Sequence, residues 1–187
     1  MHTGFPLWAD WLSLGLGVFL GGLGIALALP SLFQMYFGQP KVTLSFGVDT
    51  VESIFALVGE IDNFPPGKWA RRIGVHRETE PSATAYITVF DQNNEKIGEW
   101  IPEIKVKSGE VGTRMPIVGD LWTSTFPVVF ITEDRPSPIL ADRKKEKMPD
   151  LAPGRYKAEV RLILSDKVIA AEHEFIVNRP KQAQWTN

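Results

Sequence analysis

From Trp11 to Pro40 the chain runs thirty residues without a charged side chain. A helix rises about 1.5 Å per residue, so roughly 20 apolar residues cross the hydrocarbon core of a bilayer. The run predicts a single N-terminal transmembrane α-helix over residues 11–37, behind a short tail of residues 1–10. A cleaved signal peptide would need a basic leading segment and a small-residue cleavage site after a short apolar core. Here residues 1–10 hold no Lys or Arg and one acid, Asp10, and the apolar run continues past Ala26–Ala28 through Phe37. The segment therefore reads as a retained anchor. Trp8 and Trp11 at one end and Tyr36 at the other match the aromatic belts of a membrane–water interface. Pro30 is expected to kink the helix or mark where it leaves the bilayer core.

The helix has an uneven surface. Ser13, Gly17, Gly21, Gly24 and Ala28 follow one another at spacings of four, four, three and four, which places them on one face. Small residues let two membrane helices approach closely, and packing then replaces the missing hydrophobic drive. The expected partner of this face is another membrane-protein subunit or a second copy of this chain, within the lipid bilayer. Orientation is contested. Lys41 is the one basic residue after the span until Lys68, which leans towards a cytoplasmic domain. Sandwich domains on single spans more often lie outside the cytoplasm, and that side of a cell (inner) membrane is slightly favoured.

The rest of the chain has the length of one globular domain. Its charge is balanced, 20 basic against 22 acidic residues, so no basic face points to nucleic acid. With zero cysteines, disulfides, thiolate metal sites and cysteine nucleophiles are excluded. Fourteen prolines and sixteen glycines supply many turns, as an all-β domain requires. Period-two alternation marks strands at residues 41–46, 52–58, 83–90, 96–104, 111–118 and 122–132, the last apolar on both faces near Val128–Ile131. The NFPPG stretch at residues 63–67 breaks the chain. After a turn at residues 151–154, Tyr156, Ala158, Val160, Leu162 and Leu164 alternate with polar residues, and residues 168–177 return with Phe175 and Val177 inward. The expected domain is a β-sandwich over residues 41–178, with a C-terminal tail at 179–187.

The stretch LAPGRYKAEVRL, residues 151–162, resembles the turn and tyrosine that lead into a penultimate strand of immunoglobulin-like and fibronectin-type-III-like sandwiches. The resemblance implies that the Tyr156 hydroxyl bonds back to the preceding turn. The Cys…Trp…Cys pattern of true immunoglobulin domains is absent.

No motif for chemistry stands out. His2, His76 and His173 have no convergent ligands, because Glu172 and Glu174 point away from His173 on a strand. There is no G-x-S-x-G, and the glycines at 15, 17 and 21 lie inside the apolar run. No catalytic residue, cofactor or metal is expected, and an enzyme is not. The basic stretch DRKKEKMPD at residues 142–150 reads first as a solvated loop and second as a contact for anionic lipid. Trp69 beside NFPPG and Trp185 in the polar terminal segment are candidate partner contacts, since tryptophan anchors interfaces. The expected function is that of a structural, accessory single-pass subunit of a larger membrane complex. The alternative is a membrane-anchored extracytoplasmic binding module.

Overall fold

The computed structural model describes residues 7–51, 54–106, 108–119, 123–131, 138–141, 150–179 and 182–186, with the backbone alone at 7–10, 13, 51, 179 and 182. The expectations placed on Trp122 and on residues 142–149 lie outside the described residues, as does the side chain of Trp8. The chain divides into two units: residues 1–39 with 66–76, and residues 40–65 with 77–187.

In the first unit, helix α1 spans Leu7–Phe37 and passes through Pro30 without ending. Within it, Leu14–Phe37 is long and apolar enough to cross a membrane. A second, short helix, α2, covers Lys68–Arg72. Its end is set by Gly74, whose φ of +82° is a left-handed conformation open to glycine. The Val75 amide reaches back to the Ala70 carbonyl (3.0 Å) and the Gly74 amide to the Arg71 carbonyl (3.1 Å). That pair of bonds is a Schellman cap, and its customary apolar contact is available because Ala70 and Val75 are both buried.

The second unit is all β. Its first sheet contains β1 (Val42–Val51), β2 (Ile54–Asn63), β5 (Ile104–Lys105), β6 (Val111–Gly112), β8 (Ser124–Ile131) and β9 (Ile139–Leu140). The second contains β3 (Glu80–Phe90), β4 (Lys96–Trp100), β7 (Met115–Ile117), β10 (Gly154–Ile163), β11 (Val168–Arg179) and β12 (Gln182–Trp185). Neighbours run β1-β2-β8-β5-β6 with β9 also on β8, and β12-β11-β10-β3-β4 with β7 also on β3, all antiparallel. The hydrophobic core draws on both sheets, with Leu57, Ile61 and Phe126 from one and Ile87, Leu162 and Phe175 from the other. This is the arrangement of a β-sandwich.

Local sequence explains the inner faces. On β10, Tyr156, Ala158, Val160 and Leu162 are buried while Arg155, Arg161 and Ile163 are exposed, the alternation a half-buried strand requires. Strand β8 lies inside its sheet, with β2 on one edge and β5 and β9 on the other, and Phe126–Phe130 along it are all buried. Gly59 lies opposite Phe126, whose ring occupies the space a side chain there would need.

Two elements correct the sequence reading. The segment expected as a tail from residue 179 continues β11 and then forms β12, whose backbone groups pair with the outer edge of β11. Directly after NFPPG, where the sequence marks a break and no further element, the chain forms helix α2.

Buried polar side chains join the strand ends. Asn63 is fully buried; its Oδ1 accepts the Lys41 amide (2.9 Å), and its Nδ2 donates to the carbonyls of Glu78 (2.9 Å) and Ile117 (3.2 Å). Glu80 is buried as well, and its Oε1 accepts the Ser165 hydroxyl (2.6 Å) and amide (3.0 Å), tying the start of β3 to the β10–β11 turn. Replacing Asn63 by Leu keeps the volume and orphans these groups. The expected loss is about 2 kcal/mol of stability, read as a lower urea midpoint with an unchanged slope.

Candidate functional site

In the first unit every described side-chain position from Trp11 to Leu32 is exposed. An added Cβ at Gly17, Gly21 or Gly24 would meet nothing within 4 Å. At 100° per residue Gly17, Gly21, Gly24 and Ala28 fall within roughly 60° of arc. The face expected from the sequence is thus a bare strip of α1, although the Ser13 side chain lies outside the described residues. Trp11 and Tyr36 are each 72% exposed. Their separation of 25 residues corresponds to about 37 Å along a helix, close to the headgroup-to-headgroup span of a bilayer.

The last turns of α1 carry a second feature. Phe33 and Phe37, one turn apart, both meet the Trp69 ring edge-to-face, at centroid distances of 5.4 and 5.6 Å and interplanar angles of 89° and 80°. Edge-to-face geometry suits the aromatic quadrupole and adds about 0.5–1.5 kcal/mol per pair beyond burial. Beside them the Gln34 side-chain amide donates to the His76 carbonyl (2.9 Å) and accepts the His76 amide (3.0 Å). Three neighbouring side chains of α1 therefore hold both ends of the 66–76 segment. Trp69 remains 56% exposed, so its role as a partner contact is compatible with this docking but untouched by it.

In the second unit Trp185 has an internal role that the sequence reading did not foresee. Its indole N–H donates to the Gly47 carbonyl on β1 (2.7 Å), and its ring packs on Phe46 (4.8 Å), His173 (5.1 Å) and Phe175 (5.6 Å). The tryptophan expected as a partner contact thus packs against the core of its own domain. Trp185 staples β12 to β1 and closes one edge of the sandwich. His173 stacks on Phe46 at 5.0 Å and 12°, so its ring faces an aromatic rather than a ligand.

An open depression of about 240 Å³ lies at one end of the sandwich, lined by Asp91, Gln92, Asn94, Arg155, Tyr156, Lys157 and Glu174. Its groups are largely engaged. Asp91 Oδ1 accepts the amides of Asn93 (2.8 Å) and Glu95 (2.9 Å), and the Tyr156 hydroxyl donates to the Ala152 carbonyl (2.7 Å). Lys157 pairs with Glu159 (2.7 Å) and Glu172 (3.8 Å), and its ammonium lies 5.1 Å from the centre of the Phe90 ring. The Glu159 hydrogen bond raises the Lys157 pKa above its ordinary value. Burial, with a contribution from the Asp91 charge, raises that of Tyr156. No group of three or more His, Cys, Asp or Glu side chains converges there, among the described residues, as a metal site would need.

Neither known protein families nor curated proteins match the chain. Function is accordingly read from the two surfaces just described.

Two consequences are measurable. Gln34→Ala removes the clasp on His76, and amide exchange at His76 is expected to quicken roughly five- to tenfold, with exchange in β10 unchanged. The raised Tyr156 pKa means that the folded state holds its proton more tightly than the unfolded chain. Stability is then full below the ordinary phenol pKa of 10.0 and falls as pH rises through the folded value. Unfolding midpoints above pH 10 should fall less steeply for Tyr156→Phe than for the parent.

Proposed function

We propose that this protein is an accessory, single-pass subunit of a larger membrane complex, anchored by α1 with the sandwich outside the cytoplasm. The observation that carries the reading is the bare glycine strip of α1, where Gly17, Gly21 and Gly24 have open space above them. A glycine gives up helix propensity of about 1 kcal/mol relative to alanine, and three on one face are favoured where another helix packs closely on them. The occupant in this reading is a transmembrane helix of a different subunit. The sandwich acts as a brace. Its polar groups with chemical potential, Glu80, Asp91, Tyr156 and Lys157, are engaged in holding strands and turns.

The sandwich itself we assign to the immunoglobulin-like or fibronectin-type-III-like class. The supporting contact is the Tyr156 hydroxyl reaching the Ala152 carbonyl four residues upstream, the geometry of a tyrosine corner. It differs from the simplest member of that class in carrying β12 beyond the last hairpin.

The test is native mass after mild detergent extraction from the source membrane. The parent is expected to migrate with stoichiometric partners, and Gly21→Leu to shift it to the free form while leaving the thermal unfolding of the sandwich unchanged. A second reading, the anchored binding module, follows if the parent itself migrates as a free monomer.

A further inference from the structure

We propose that α2 is a membrane-surface element. It lies in the headgroup layer at the C-terminal end of α1, where Lys68, Arg71 and Arg72 bind the phosphates of anionic lipids. The inference rests on α1 spanning the bilayer.

Depth is fixed by the aromatic contact. Counting about 20 residues of hydrocarbon core from Leu14 brings the far boundary to the neighbourhood of Phe33, and Phe37 lies one turn beyond it. Trp69 packs edge-on against both rings, which holds α2 at that boundary. Tryptophan concentrates at this depth because an indole has an apolar body and a polar N–H. The Gln34 clasp on His76 fixes the other end of the segment to the same turns of α1.

The helix is sorted around its axis. Ala70 faces inward and is buried. At 100° per residue, Trp69 and Ile73 share one flank, while Lys68 and Arg72 point opposite Ala70 and Arg71 takes the other flank. All five of these side chains are exposed. An apolar flank beside a cationic one is the pattern of a helix lying in the plane of an interface.

Among the described residues the cations have no protein counter-charge. Asp10 is the single acidic residue in residues 1–39 and 66–76, and it stands at the opposite end of α1. None of Lys68, Arg71 and Arg72 forms an ion pair among the described residues. Three unpaired cations beside an exposed tryptophan, fastened to the end of a span, fit one surface chemistry: the phosphate layer of an anionic leaflet. Arginine adds geometry, since its planar fork matches phosphate oxygens two at a time.

The chain has no cysteine, so single-cysteine variants report one position each. The full-length protein would carry a bimane probe at Ile73→Cys or, separately, at Leu20→Cys. Each would be reconstituted in vesicles of phosphatidylcholine alone and of phosphatidylcholine mixed equally with phosphatidylglycerol. Quenching by headgroup-labelled nitroxide lipid is read at 73, and quenching by acyl-labelled lipid at 20. The expected result is strong quenching at 20 in both lipids, and quenching at 73 that is already present in phosphatidylcholine, because α1 holds α2 at the boundary, and that increases further with phosphatidylglycerol as the cations draw it onto the phosphates. Added salt should reverse that rise, as should the variant K68E/R71E/R72E, because three surface cations together change binding to an anionic leaflet roughly a hundredfold. Salt on the unaltered chain gives the same readout without relying on the folding of the triple variant. Quenching at 73 that ignores lipid charge, salt and the triple substitution, with 20 still quenched, overturns the headgroup role and leaves the span intact. Absence of acyl quenching at 20 overturns the span and the inference with it.

Discussion

With no cysteine in the chain, no disulfide cross-links the two sheets of the sandwich, and burial of apolar side chains must hold them together. The magnitudes leave little choice. Full burial of a Leu, Ile or Phe side chain stabilises by about 1.5–3 kcal/mol, whereas an exposed ion pair contributes about 0–1. Phe126, Phe175, Leu57, Ile61, Ile87, Ile104 and Leu162 are all fully buried, while the Lys96–Glu99 pair lies open to solvent. Every other feature of the domain is arranged around keeping that core closed. Asn63 and Glu80 take up backbone and turn groups at the strand ends, while the Trp100 indole N–H is a buried donor without a partner among the described residues. Trp185 shuts the edge between β12 and β1, where Phe46 and Phe175 would otherwise meet water.

How much of this was legible follows from the range over which each signal acts. The apolar run of α1 and the alternation on β10 are local patterns, visible in ten to thirty consecutive residues, and both elements formed as expected. The Tyr156 contact was legible too, because turn, tyrosine and acceptor lie within four residues. Strand β12 was not. Its composition is polar, and what makes it a strand is the free edge of β11 together with a tryptophan pocket on β1, 138 residues away in sequence. Helix α2 is five residues long and follows two prolines, so no periodicity can announce it. The one available sign was Gly74, placed where a helix would end.

The same distinction changes how charge near the span is counted. In sequence, Lys41 alone follows α1 closely, and Lys68 comes thirty-one residues after Phe37. In three dimensions Trp69 rests on Phe33 and Phe37, so the three cations of α2 belong to the end of α1. A rule that counts basic residues within about 15–20 positions of a span describes the chain as it is inserted. The equilibrium attraction between a folded cationic segment and a charged leaflet depends instead on distance in space, and it decays within a Debye length of about 8–10 Å. The two counts answer different questions, one about which way the chain threads and one about what the finished protein touches.

That difference bears on where function resides. In the sandwich four polar or aromatic candidates for chemistry are engaged in internal contacts. Asp91 caps its own turn, Tyr156 anchors its corner, Lys157 separates Glu159 from the facing Glu172, and His173 stacks on Phe46. The other unit offers open surfaces: glycines with open space above them, an indole more than half exposed, and cations that form no ion pair among the described residues. Each lacks something a neighbour would supply, whether a close-packed helix or a phosphate. Interaction free energy is gained where groups are incompletely solvated or unpaired and lost where satisfied bonds must first be broken. On that physical ground the bare strip of α1 and the cations of α2 are the surfaces on which the proposed associations rest.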